Sequence, residues 1–138
     1  MYEAYKDSYK QNESSQSFYN EIGGPLGEWA AENPEYFQNT CACRLSKAMN
    51  YNGFKIKKGT PNTYLGGDGN YYFVNAKAMQ AYLSKRWGEP RLLKKGNILK
   101  NAVYFQSGFS GGVSGHLDIM YRGKAAHKFY NKPTYYWH

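Results

Sequence analysis

The spacing of apolar residues changes along the chain, and that change narrows the fold more than any other feature. The strongest helix-spaced segment is NTCACRLSKAMNYNG, residues 39–53. Cys41, Leu45, Ala48 and Met49 fall at i, i+4, i+7 and i+8, one stripe of a helix. Asn39 or Thr40 precedes it with a side-chain oxygen suited to an unpaired amide hydrogen, and Gly53 stands where a helix stop belongs. The spacing predicts a helix of about ten residues with Cys41 in its first turn. Downstream of Lys100 the pattern becomes short runs of β-branched and aromatic residues between turn signals.

The rest of the chain follows the same division. Tyr2, Tyr5 and Tyr9 lie at helical spacing in a polar segment that reads as a helix or a lead-in. Gly23-Gly24-Pro25 predicts a turn and then a short helix that ends before Pro34. Residues 54–74 read as a strand, a turn-rich excursion and a second strand, YYFV. Asn75 should cap a helix carrying Met79, Tyr82, Leu83 and Trp87 on one face, stopped by Gly88 and Pro90. A strand is expected through Ala102–Phe105, then a flexible GFSGGVSG loop. HLDIMYRGKAAHKFYN reads as a hairpin that starts at His116, turns near Arg122-Gly123-Lys124 and returns through His127 and Phe129. TYYWH is the last strand.

Helices first and antiparallel strands after give an α+β class. Fifteen Tyr and fifteen Gly in 138 residues agree with it and argue against a helical bundle or coiled coil. The length fits one domain, 1–138, with no linker or repeat to divide it. No stretch is long and apolar enough for a transmembrane helix. The first fifteen residues lack the apolar core of a signal peptide, so synthesis in the cytoplasm without conventional export is expected. The net charge of +8 favours an acidic partner: nucleic acid, an anionic envelope polymer or an acidic protein. The cations are scattered, with no dense run and no recognition motif for nucleic acid.

The chemistry-bearing residues are few. A helix start favours a thiolate, because unpaired amide hydrogens and the macrodipole stabilise negative charge there. Cys41 occupies such a start, and its backbone N–H is a candidate oxyanion donor. Cys43 lies about 200° further round the helix, so it points elsewhere, reads as a packing residue, and is badly placed for a disulfide to Cys41. A thiol nucleophile needs a base near neutral pKa, normally histidine. His116 opens a strand after the glycine loop and is the candidate. His127, on the proposed partner strand, is a candidate to fix the tautomer of His116. Asp118, on the same strand face as His116 by the period of two, is its rival. His138 is expected to be exposed and inert. His116, Asp118 and His127 as a metal site is a weaker alternative, because it leaves Cys41 unexplained. No phosphate-binding loop, dinucleotide fingerprint or zinc-finger spacing occurs. A basic module that stacks single-stranded nucleic acid on its tyrosines is the rival from outside enzymology.

The segment N-T-C-A-x-R-L-S-x-A-x-N (Asn39–Asn50), preceded by I-G-G (Ile22–Gly24), resembles the fourth family of type VI secretion amidase effectors. D-G-N-x-Y-F (Asp68–Phe73) and G-H-L-D-I (Gly115–Ile119) continue the likeness in order, over about residues 20–130. The resemblance implies a papain-like, NlpC-type cysteine peptidase fold. It also implies an antibacterial toxin that cuts peptidoglycan stems between D-glutamate and meso-diaminopimelate in Gram-negative bacteria. Such a toxin is delivered by the type VI secretion apparatus to the target periplasm and countered by a periplasmic immunity protein. It needs no cofactor, binds no nucleic acid and does not insert in membrane. By motif, Cys41 would be nucleophile and His116 base. The third position is aspartate in such effectors and commonly histidine in the wider superfamily. His127 holds that spacing here, which leaves His127 and Asp118 both open. Cys43 replaces a usually aliphatic residue, in keeping with packing. A related thiol hydrolase or acyltransferase acting on another substrate is the alternative within enzymes.

Overall fold

A computed structural model describes residues 1–11, 14–110 and 113–137. Five helices, α1 (Tyr2–Gln11), α2 (Ser15–Ile22), α3 (Gly24–Glu32), α4 (Cys41–Asn50) and α5 (Ala76–Trp87), accompany seven strands among these residues. The strands are β1 (Thr63–Leu65), β2 (Tyr71–Phe73), β3 (Arg91–Leu92), β4 (Ala102–Gln106), β5 (His116–Tyr121), β6 (Lys124–Ala125) and β7 (Thr134–Trp137). β1 and β2 form a hairpin, and the other five make an antiparallel sheet in the order β3-β7-β4-β5-β6. The class is α+β, as the order of patterns implies.

α4 is the helix around which the rest is built. Eight of its ten residues are buried, so it is covered on nearly every side. Its Leu45, Ala48 and Met49 pack with Tyr5 of α1, Met79 and Leu83 of α5, and Val103, Phe105, Leu117 and Ile119 of the sheet. Each such apolar side chain contributes about 1.5–3 kcal/mol on burial. The opposite side of α4 presents Cys43 to a second cluster with Phe18, Tyr19, Ile22, Leu26, Phe37 and Tyr72. That places the two thiols back to back, as the 200° rotation requires, and both are free. Burial pushes the Cys43 thiol well above its ordinary pKa, which suits a packing residue.

Polar residues of the α4 segment act as ties. Ser46 Oγ donates to the Ala42 carbonyl and accepts the Phe73 N–H at 2.9 Å. Asn50 donates to the Tyr71 carbonyl and accepts the Ile56 N–H, both at 2.8 Å. The β1-β2 hairpin is thereby fastened to α4. Its turn is closed by Asp68, which accepts from Tyr51, Tyr72, the Asn70 side chain and the Asn70 N–H. These hydrogen bonds outweigh burial and hold the Asp68 carboxyl below its usual pKa.

Several local expectations change. The segment of residues 1–20, read as a helix or a lead-in, is helical in α1 and again in most of α2. The strand expected from Phe54 is absent: the Ile56 N–H goes to Asn50, and Arg86 takes the carbonyls of Phe54 and Lys55, so no strand partner remains. Pairing begins instead at Thr63, inside the stretch read as turns. β3, with two residues, left no readable pattern. The hairpin after His116 does turn at Arg122 and Gly123, both with positive φ, but the return strand stops at Ala125. His127 and Phe129 lie beyond it, because the N–H groups of His127 and Lys128 turn onto the Asp118 carboxylate. The expectation for His138 falls outside the described residues, as do Gly111 and Gly112 of the glycine loop. No helix among the described residues is long and apolar enough to cross a membrane.

Candidate active site

Strand alternation in β4 and β5 sorts the side chains into two faces. Phe105 pairs with Leu117 and Val103 with Ile119 toward the helices; Gln106 pairs with His116 and Tyr104 with Asp118 on the other face. The N-terminus of α4 meets the start of β5 at their shared end. Asn39 makes the junction: its Oδ1 accepts the Cys41 N–H at 3.1 Å, and its Nδ2 donates to the Gly115 carbonyl at 3.1 Å. Asn39, rather than Thr40, therefore caps the Cys41 amide; the Thr40 hydroxyl is occupied by Arg44 Nε at 2.7 Å. The Cys41 N–H is thus engaged within the chain.

Cys41 and His116 are brought together. Cys41 is 2% exposed and its Sγ lies 3.8 Å from the Gly115 carbonyl. His116 is 7% exposed, and its imidazole is close enough to the Cys41 thiol to feel it electrostatically. On its other side, His116 Nε2 stands 3.0 Å from Asp118 Oδ2 and 2.9 Å from the Lys128 carbonyl. Both of those partners only accept, so Nε2 carries the hydrogen and Nδ1 is left for the thiol. Burial by itself would lower the His116 pKa. The hydrogen bond to Asp118, together with the neighbouring Cys41 side chain, overcomes it and raises the imidazole to about 9.

Asp118 is fully buried. Besides His116 it accepts from the N–H groups of Ile119 (2.7 Å), His127 (3.2 Å) and Lys128 (2.8 Å). Four donors thus converge on this one carboxylate, three of them backbone N–H groups.

His127 is close by, but its ring takes no part in this chain of bonds. The imidazole lies flat on Tyr9, 3.7 Å between centroids and 4° from parallel, and its centroid is 6.0 Å from that of His116. What His127 gives the centre is its backbone N–H to Asp118. Partial burial pushes its pKa below the ordinary histidine value. Among the described residues no group of three His, Cys, Asp or Glu side chains is placed to hold a metal, and that alternative is not assembled.

Sequence reasoning missed three contributors. The Lys128 carbonyl is a backbone group and has no residue signature. Gln106, fully buried, accepts the Tyr130 N–H and donates to the Tyr130 carbonyl and to Thr134, which shapes the loop over His116. Tyr9 sits in a segment read only for its helical spacing. The Tyr130 ring stands edge-on to His116 at 5.1 Å.

A thiol at the start of a buried helix, facing an imidazole on an antiparallel sheet backed by a carboxylate, is the papain-like layout of the NlpC type. Residues 37–136 match the family described as type VI secretion system (T6SS) amidase effector protein 4, Tae4, and the chain belongs to that family. Solved structures of two effectors have the same fold. The Tae4 effector from Salmonella typhimurium, in complex with the immunity protein Tai4 from Enterobacter cloacae, aligns at 23% identity. It has a TM-score of 0.78 over 97% of this chain and 94% of that one. Tae4 in the Tae4-Tai4 effector-immunity complex from Enterobacter cloacae aligns at 19% identity. Its TM-score is also 0.78, over 99% of this chain and 96% of that one. No curated protein sequence matches the chain.

Proposed function

We propose that the chain is an antibacterial cysteine amidase, a DL-endopeptidase, which cleaves the γ-D-glutamyl–meso-diaminopimelate bond of peptidoglycan stem peptides. In this reading the type VI apparatus delivers it to the periplasm of a Gram-negative rival, and a cognate immunity protein protects the producer there. The observation that carries the chemistry is Cys41 at the start of α4, its Sγ 3.8 Å from the carbonyl of the residue before His116, with His116 hydrogen-bonded to Asp118 at 3.0 Å. Family membership and the motif likeness support the substrate and the bond. The net charge of +8 supports attraction to a polymer rich in carboxylates.

The steps follow from the geometry. His116 takes the Cys41 proton at Nδ1, and the thiolate attacks the γ-glutamyl carbonyl carbon. The carbonyl oxygen takes the electron pair beside the first-turn amides of α4, whose N–H groups have no partner within the helix. The Cys41 N–H, already held by Asn39, is the least available of them. Collapse breaks the C–N bond, and the amine of diaminopimelate leaves with the proton from His116. Water then gives a proton to His116 and its oxygen to the thioester carbon, which frees the glutamyl carboxylate and regenerates Cys41. Asp118 accepts from Nε2 and keeps the tautomer of His116 correct, the part for which His127 was the other candidate.

Mass analysis of muropeptides digested by the wild-type protein and by Cys41→Ala tests this. New fragments ending in D-glutamate, absent with the variant, are expected. Undiminished cleavage by Cys41→Ala would remove the thiol mechanism. Fragments cut at another bond would reassign the substrate to a related thiol hydrolase.

A further inference from the structure

Four flat groups are stacked between the N-terminal helix and the candidate centre. The Arg44 guanidinium, fully buried, lies between the rings of Phe18 (4.3 Å) and Tyr9 (4.0 Å). It is fixed by Thr40 Oγ1 and the Ser8 carbonyl. The far side of the Tyr9 ring carries the His127 imidazole at 3.7 Å. From His127 the chain runs directly into the clasp: the N–H groups of His127 and Lys128 hold Asp118, and the Lys128 carbonyl holds His116 Nε2. Beyond Ala125 the sheet still holds this loop through the Ala126 N–H to the Ile119 carbonyl at 2.9 Å and the Tyr104 hydroxyl to the Lys128 carbonyl at 2.9 Å. The ring stack is its anchor on the α1 side, and Tyr104 and Gln106 are its anchors on the β4 side.

We propose that Tyr9 is a positioning residue: pinned by Arg44, its ring holds the His127 imidazole and so keeps the 127–128 backbone clasped on Asp118 and His116. The inference rests on the Cys41–His116 chemistry proposed above, and Tyr9 itself lies outside residues 37–136, where the family match runs. It gives His127 the work of an aromatic surface rather than of an acid or base. Arg44 and the rings around it then couple α1 to the geometry of the centre, although no α1 side chain hydrogen-bonds Cys41, His116 or Asp118 among the described contacts. A loosened clasp would let His116 swing while leaving the substrate surface in place. A displacement of about 1 Å at a reacting group costs on the order of 100-fold.

The test compares Tyr9→Ala, Tyr9→Phe, His127→Ala and His127→Phe with the wild type and with Cys41→Ala. Muropeptide turnover and the His116 titration, followed by NMR, are the readouts. Each alanine variant should lose about 10- to 100-fold in kcat with KM within about twofold, and its His116 should titrate lower. Each phenylalanine variant should recover to within about threefold of wild type, because it keeps the flat face. If His127→Phe is as impaired as His127→Ala, the imidazole itself is required and the proposal fails. It also fails if both alanine variants fold and match the wild type in kcat and His116 titration. Should Tyr9→Ala not fold, the His127 pair decides, since that side chain is exposed on its other face. Turnover that survives Cys41→Ala overturns the thiol chemistry alone, because the His116 titration still reports whether the stack holds the clasp.

Discussion

Oδ2 of Asp118 lies 3.0 Å from Nε2 of His116, two positions away on the same strand and on the same face. Its other hydrogen-bond partners among the described residues are backbone N–H groups. Asp118→Asn offers these donors one acceptor oxygen and turns two hydrogens toward them. Turnover should fall roughly 10²- to 10⁴-fold. Stability should fall by about 2–4 kcal/mol, from buried donors left unpaired. Steady-state kinetics and urea unfolding check the two effects; wild-type turnover would exclude Asp118 from the centre.

The His116 imidazole, raised to about 9 from 6.5, makes a signed prediction. A histidine whose folded pKa exceeds its unfolded one adds stability that is complete below the unfolded value and is lost as pH rises through the folded value. The wild type should therefore lose stability between about pH 6.5 and about 9, and Asp118→Asn should lose less over that window. The basic limb of kcat/KM should also fall near 9, because the leaving amine takes its proton from the His116 imidazolium, which is lost above that pH. Urea midpoints and a pH-rate profile measure both; a basic limb centred near neutral pH would contradict the assignment.

Gly115 has φ +152°, and a Cβ there would meet Phe105 Cε2 at 2.2 Å, Cζ at 2.5 Å and the Gln106 carbonyl at 3.0 Å. Its carbonyl is also the acceptor shared by Asn39 and Cys41. Gly115→Ala should cost about 1–3 kcal/mol from overpacking and reduce kcat, because moving this carbonyl moves the α4–β5 junction. Unfolding and turnover of the purified variant read the two effects; unchanged values in both would refute the close packing.

Tyr19 is 1% exposed, and its hydroxyl has no partner among the described residues. Burial pushes its pKa up accordingly. A buried hydroxyl without a partner is a cost, so Tyr19→Phe should be neutral or more stable by about 1–3 kcal/mol. A urea midpoint below that of the wild type would show that the hydroxyl is bonded.

What the sequence determined by itself was local. The cap, the stripe and the stop of 39–53 lie within fifteen neighbouring residues, and α4 begins at Cys41 as they imply. The same holds for α5, where Asn75 accepts the Ala78 N–H at 2.9 Å. The back-to-back placement of Cys41 and Cys43 follows from helix rotation alone. Alternation put His116 and Asp118 on one face before any fold was known. The tertiary structure decided the questions that turn on where a loop goes. The spacing of His127 made it look like the orienting group, yet its ring is held by Tyr9, far away in sequence, and only its N–H reaches Asp118. Short-range order is set by backbone geometry and neighbouring side chains. The path of residues 126–130 is set by α1, Arg44 and Gln106, which meet it only after the chain has packed.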